Sequence, residues 1–242
     1  MINHSRNRPS EQGNVLWFIM IAIVLMGALT LIISRTGSSV DQSGDIEQLR
    51  VRSTQILRYA KSLESAIQQM NLGGVSVDEI SFENGDTATD YTNTNCSDAS
   101  DANYPDCLIF DVQGAGLSYR APPTGANDGS DWIFTGANNV GSATDPVGTS
   151  GARSGNDLVM LLPNANETLC IQINRDLGVG TPGTLPSDTT GIDDTEFTGT
   201  YANALTIIDA DPGLELDGES AGCFEDANDS DKIYFYYVLL AR

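Results

Sequence analysis

Twenty consecutive uncharged residues, Val15 to Ser34 (VLWFIMIAIVLMGALTLIIS), constrain this chain more than any other stretch. At a rise of about 1.5 Å per residue, such a helix spans roughly 30 Å, the thickness of a bilayer's hydrocarbon core. The run is therefore expected to cross a membrane once. A cleaved secretory signal is the competing reading, but its apolar core is usually about 7–15 residues long and ends at a small-x-small site. This run is longer and leads into Arg35-Thr36-Gly37. His4, Arg6 and Arg8 precede it, and only Arg35 follows closely. Because basic residues are retained on the cytoplasmic side of a span, the N-terminus is expected in the cytoplasm and the rest of the chain outside it.

The charge is divided as sharply as the hydropathy. Residues 1–61 hold seven basic and four acidic side chains, net +3, and residues 62–242 hold five basic and twenty-nine acidic ones, net −24. A polyanionic head excludes nucleic acid and anionic lipid as its partners, since binding phosphate needs the opposite potential. Its plainest consequence is a well-solvated surface that resists aggregation. The four cysteines, Cys96, Cys107, Cys170 and Cys223, all fall in this outer part. An even number in an oxidising compartment reads as two disulfides, with three pairings open. Cys96 and Cys107 flank a short polar loop that a local bridge would close, which would leave Cys170 for Cys223. Zinc is disfavoured because the usual two-residue cysteine spacing is absent and the single histidine is His4.

In chain order, residues 1–13 form a basic leader or cytoplasmic tail, and 14–44 hold the membrane helix and a hinge. Arg35 to Gly44, RTGSSVDQSG, is rich in glycine and serine, so helix is expected to fray or bend there. Over 45–74, Ile46, Leu49, Ser53, Ile56, Ala60, Leu63, Ile67 and Met70 recur at steps of three and four. This is one apolar helical stripe, with Arg50, Arg52, Arg58 and Lys61 on the wetter faces. Asp45 and Gln48 are spaced as a capping box, and Asn71-Leu72-Gly73-Gly74 gives the stop. The stripe Leu49, Ile56, Leu63, Ile67 and Met70 needs an apolar partner, either its own head or neighbouring copies; docking on the head is expected, with the closing strand around Tyr234 to Tyr237 as part of the contact.

Residues 75–242 read as an acidic, β-rich extracytoplasmic head. Expected strands are Cys107–Val112, Leu117–Arg120, Trp132–Thr135, Asp157–Leu162, Leu205–Ile208 and Lys232–Leu240, the last aromatic and β-branched enough to be central. Asn164 to Gly178 reads as a short helix, with Asn164 and Glu167 in capping-box spacing and a terminal glycine, against a strand-like alternation of Leu169, Ile171 and Ile173. Stretches of about 83–106, 123–156 and 179–200 read as long exposed loops. The expected fold class is α+β: a long N-terminal helix, membrane-spanning then amphipathic, with a disulfide-bearing, mainly antiparallel β head.

Catalysis by a Ser-His or Cys-His pair needs an imidazole, and no histidine follows His4. No two of the twenty-nine outer acids are singled out as a hydrolase pair. No glycine-rich stretch matches a phosphate loop or dinucleotide turn, so neither enzymatic activity nor an organic cofactor is expected. Calcium is the one ion that the acidic loops suit. Asp226, Asn228 and Ser230 alternate as at the start of a calcium loop, but Asp231 stands where the turn glycine belongs and Tyr237 where the bidentate glutamate belongs. A solvated loop before the last strand is the simpler reading.

A polar basic leader ending in Gly13, an uncharged helix directly after it, an amphipathic continuation to about Met70 and a disulfide-bearing β-rich head resemble the type IV pilins and pseudopilins. The resemblance covers residues 1–74 by pattern and the head by architecture. It implies a single-pass protein of the bacterial inner membrane, with its head in the periplasm or at the cell surface, cleaved by a prepilin peptidase between Gly13 and Asn14. Its partners would be other pilin-like subunits or their assembly machinery. Such subunits mostly begin with Phe or Met and carry Glu at the fifth mature position, where this chain has Asn14 and Phe18. That glutamate is taken to neutralise a neighbour's N-terminal amine in the apolar core, where an unpaired charge is costly. Its absence is similar to minor pseudopilins at a filament tip, and the Gly-Asn-Val start is similar to envelope proteins of tight-adherence systems. The implied role is a minor structural subunit of a surface filament or secretion pseudopilus. The other reading is a permanently anchored binding module whose acidic loops take calcium or another ligand.

Overall fold

The structure is a computed structural model that describes residues 14–84, 91–97, 100–141, 146–149, 155–203, 206–208, 216–229 and 232–242, with the side chains of residues 14, 33–44 and 207 excepted. It separates into two units, Met1–Gln48 and Leu49–Arg242. Helix α1 (Asn14–Leu72) begins in the first unit and ends in the second. Helical backbone is assigned without a break through residues 35–48, so Asp45 and Gln48 do not start a helix and the expected hinge is not an interruption of helical backbone. The reason is energetic. Gly37 and Gly44 each cost about 1 kcal/mol relative to alanine, but a helix already nucleated propagates through such residues unless proline removes a donor. Its end falls where the glycines place it: Val75 N–H donates to Met70 O (3.0 Å) and Gly74 N–H to Asn71 O (3.1 Å). Gly74 has φ 102°, a left-handed conformation that side chains resist. Met70 and Val75, the pair this motif brings together, are both buried.

The second unit is α+β. Its sheet contains β1 (Ile133–Val140), β2 (Asp157–Leu162), β3 (Ser187–Asp188), β4 (Thr206–Ile208), β5 (Ala221–Asp226) and β6 (Ile233–Leu240), in the order β3-β5-β6-β2-β1-β4. The β5-β6-β2-β1 centre is antiparallel, and the short edge strands β3 and β4 join it in parallel. Both faces are covered, which explains why β2 reads DLVMLL rather than as an alternation. Leu158, Met160 and Leu162 enter the same core as Ile56, Leu63 and Ile67 of α1. Val159 and Leu161 enter a second core with Phe224, Tyr234 and Tyr236. Successive side chains of a strand point to opposite faces, so an apolar run is what two buried faces require.

Helix α2 (Glu167–Leu177) confirms the helical reading of Asn164 to Gly178 but moves its start. The N-cap is Asn166, whose Oδ1 accepts from Leu169 N–H (3.1 Å), and Asn164 lies outside the helix at φ 52°. Two disulfides close the unit, Cys96–Cys107 and Cys170–Cys223. The second ties α2 to β5 across 53 positions against 11 for the first, so it restricts the unfolded chain more. Beside it the Asn174 amide donates to Cys223 O (3.0 Å) and accepts from Cys223 N–H (2.8 Å). Strand β3 pairs β5 only at Glu225 and Asp226, and at Cys223 the asparagine amide takes the place of a strand's peptide group.

Three expectations are corrected. Cys107–Val112 is a series of turns with one isolated bridge, Ser81 to Leu108, and Leu117–Arg120 is irregular and joins no ladder. Trp132–Thr135 opens β1 as expected, but the stretches read as exposed loops carry the rest of β1, all of β3 and part of the core: Tyr91 and Phe197 are buried and pack with Phe82, which stacks on Phe134 at 4.2 Å. Strand β5 was hidden among the acidic clusters.

Candidate functional site

In the first unit, Gly13 lies outside the described residues, as does the side chain of Asn14, so the expected cleavage site has no structural counterpart. Val15–Ile32 is helical and long and apolar enough to cross a membrane, with none of it buried by the rest of the chain. Phe18 is exposed with it. The one hydroxyl within that span, on Thr30, donates to Met26 O (3.0 Å) and Gly27 O (2.9 Å), so the helix satisfies it internally. This is what a helix in hydrocarbon needs, where no water is present to replace a missing partner.

In the second unit the stripe is docked. Ile56, Leu63 and Ile67 are fully buried, Met70 is 7% exposed, and Leu49 is half-buried against the same core, which includes Phe235 and Leu239 of β6. Ser53, the polar position in the stripe, is also fully buried, and its hydroxyl donates to Asp176 Oδ2 of α2 (2.6 Å). Its polarity is thus a cross-link between helices. At the rim, Glu64 accepts from Lys61 Nζ (2.8 Å), Gln68 Nε2 (3.0 Å) and the Tyr237 hydroxyl of β6 (2.5 Å). Burial works against the charge, yet the hydrogen bonds from Lys61, Tyr237 and Gln68 outweigh it and hold the carboxyl below its ordinary value.

An open groove of about 710 Å³ runs between α1 and the segment that failed to become a strand. Gln55, Arg58 and Tyr59 form one wall, Ser118 and Arg120 the other, and Trp132 the floor. Side chains hold the second wall in place of a ladder: Trp132 Nε1 donates to Arg120 O (2.8 Å) and Arg120 N–H donates to the Tyr59 oxygen (3.3 Å). The Tyr59 and Trp132 rings lie 5.9 Å apart. Burial pushes the Tyr59 hydroxyl up to about 12, so it keeps its proton and remains a donor. The Arg52 guanidinium lies along Gly125, where a β-carbon would come within 3.2 Å of it. A neighbouring cleft on α1 is lined by Arg50, Arg58 and Lys61. The helix therefore has three sides: the buried stripe, the groove side, and a basic side.

The expected calcium ligands form a hydrogen-bonded turn. Asp226, buried at the end of β5, accepts from Asn228 N–H (2.9 Å), and the Asn228 amide donates to Thr189 O (2.9 Å). Ser230 lies outside the described residues. Among the described residues, no group of three or more His, Cys, Asp or Glu side chains is placed to hold a metal ion. The groove had no signal of its own in the sequence, because Tyr59 and Arg120 are brought together from distant positions; only the basic residues on the wetter faces of α1 pointed to it. Compared with family models, curated proteins and solved structures, the chain matches none of them.

Proposed function

We propose that the chain is a membrane-anchored, pilin-like structural subunit, a minor component of a bacterial surface filament or secretion pseudopilus. The observation that carries this reading is the division of one helix into two chemistries. Its first part is apolar all round and unburied, and its later part is amphipathic and docked on a disulfide-bearing sheet. A subunit of this kind holds its head on the outer side of the membrane and offers its apolar helix to lipid, then to neighbouring helices. Arg6 and Arg8 favour a cytoplasmic N-terminus. Phe18 in place of an acid favours a position at a filament end or beside a different subunit.

The test is the N-terminal mass of the protein isolated from its host's membranes. Processing by a prepilin peptidase gives a chain beginning at Asn14. An intact Met1 would overturn the filament reading in favour of a permanently anchored binding module.

A further inference from the structure

The basic side chains of α1 stand out against the rest of the head. Residues 62–242 carry net −24, so a long flexible guanidinium has many carboxylates to choose from. Yet the ion pairs among the described residues are Lys61–Glu64 and Lys232–Asp229. Arg50, Arg52, Arg58 and Arg120 have no carboxylate within ion-pair distance among those residues. Asp176 lines the same cleft as Arg50 and Arg58, but its two oxygens accept from Ser53 and Gln172. Tyr59 accepts from Arg120 N–H, and its own proton has no acceptor among the described residues.

We propose that this face, the groove between α1 and residues 116–123 together with the adjoining basic side of α1, binds an acidic peptide segment of a partner protein. The match is one of charge and length. From Arg50 to Lys61 the helix rises by about 16 Å, which is the span of roughly five extended residues. Carboxylates spaced along such a segment would meet guanidinium groups in turn, each with the forked donor geometry that suits a carboxylate. One small anion would engage only a fraction of donors spread over that distance. Nucleic acid fits poorly, because single strands need exposed aromatic faces to stack on and Trp132 is 1% exposed. A short acidic segment also feels mainly the local field, since charges more than about 8 Å away are screened at physiological salt. A second copy of this chain would bring another net charge of −21 with it, which opposes that occupant. The site goes beyond the filament reading and does not depend on leader cleavage.

The experiment uses the full chain in neutral-detergent micelles and a fluorescent, end-blocked hexaglutamate, read by anisotropy at low and moderate salt. Saturable binding is expected. It should weaken about tenfold in the Arg58→Gln/Arg120→Gln variant and in moderate salt, and stay within about twofold in Lys232→Glu, an equal charge change outside the groove. Circular dichroism checks the folding of each variant, and Arg58→Gln and Arg120→Gln are measured singly so that a misfolded double variant does not decide the matter. Several results would overturn the proposal: no saturable binding, equal loss in Lys232→Glu, displacement of the peptide by equimolar inorganic phosphate, or unchanged affinity in both single variants. Sedimentation that shows self-association without peptide, lost in the double variant, would identify a second copy as the occupant instead.

Discussion

Two parts of α1 obey the same helical geometry and reach opposite outcomes. Over Val15–Ile32 every side of the helix is apolar and every residue is unburied by its own chain. Over Leu49–Met70 the buried apolar residues form one stripe, and that stripe is closed over by the core of the head. The difference lies in where polar groups fall. Arg50, Arg52, Arg58 and Lys61 keep the other faces of the later helix in water and leave one face to bury, whereas the earlier helix has no face that water would accept. A one-sided stripe finds its partner inside the chain, and an all-round one must find it outside, in lipid or in other helices.

The largest effect should come from separating the two. A chain that starts at Asp45 loses the whole span, and the capping-box spacing of Asp45 and Gln48 then lies at a real helix start. We expect it to be soluble, monomeric and folded, by sedimentation and circular dichroism. Recovery of the truncated chain with the membrane fraction would mean that the comparison is drawn in the wrong place.

Within the docked part, Leu63→Asp places a carboxylate without a partner at a fully buried position. The cost should be about 3–5 kcal/mol, which lowers Tm by roughly 10 °C in a domain of this size. Ser62 is exposed one residue earlier, and Ser62→Asp should change stability by less than about 0.5 kcal/mol. Equal shifts at the two sites in a thermal melt would show that the stripe is not buried.

A smaller effect is expected at the rim, where Glu64 receives bonds from Lys61 and from Tyr237 of β6. Glu64→Gln removes the charge and should cost about 1 kcal/mol at pH 7. The folded carboxyl is held below its ordinary value, so its stabilisation is complete above the usual carboxylate range and is lost as pH falls through the folded value. The difference in Tm between wild type and variant should therefore shrink with acidification. A difference that grew as pH fell would contradict the charge-based origin of the contact.

The sequence made legible those features that repeat at short range. The period of the stripe, the composition of the span, the run in β2 and the aromatic β6 all report local geometry, and β2 and the position of α2 emerged close to where they were expected. What it concealed depended on distant partners. Strand β5 was obscured because Glu225 and Asp226 end it and begin an acidic turn, so charge drew attention away from the Ala221, Cys223 and Phe224 pattern. Leu117–Arg120 has the composition of a strand, but Tyr59 and Trp132 take the backbone groups of Arg120 that a neighbouring strand would have taken. The groove followed from that substitution, and no spacing within either segment announced it. Asn166 replaced Asn164 as the helix cap because the chain leaves Asn164 in a left-handed conformation, a tertiary detail invisible to a three-residue pattern.

The most direct test of the division within α1 is photolabelling of the full chain in its native membranes by a carbene probe dissolved in the lipid, with peptides mapped by mass spectrometry. Label on residues 15–32 and none on residues 49–70 is the predicted result. Label on Leu49, Ile56 or Leu63, or a span that stays unlabelled in membranes free of assembled filament, would contradict it.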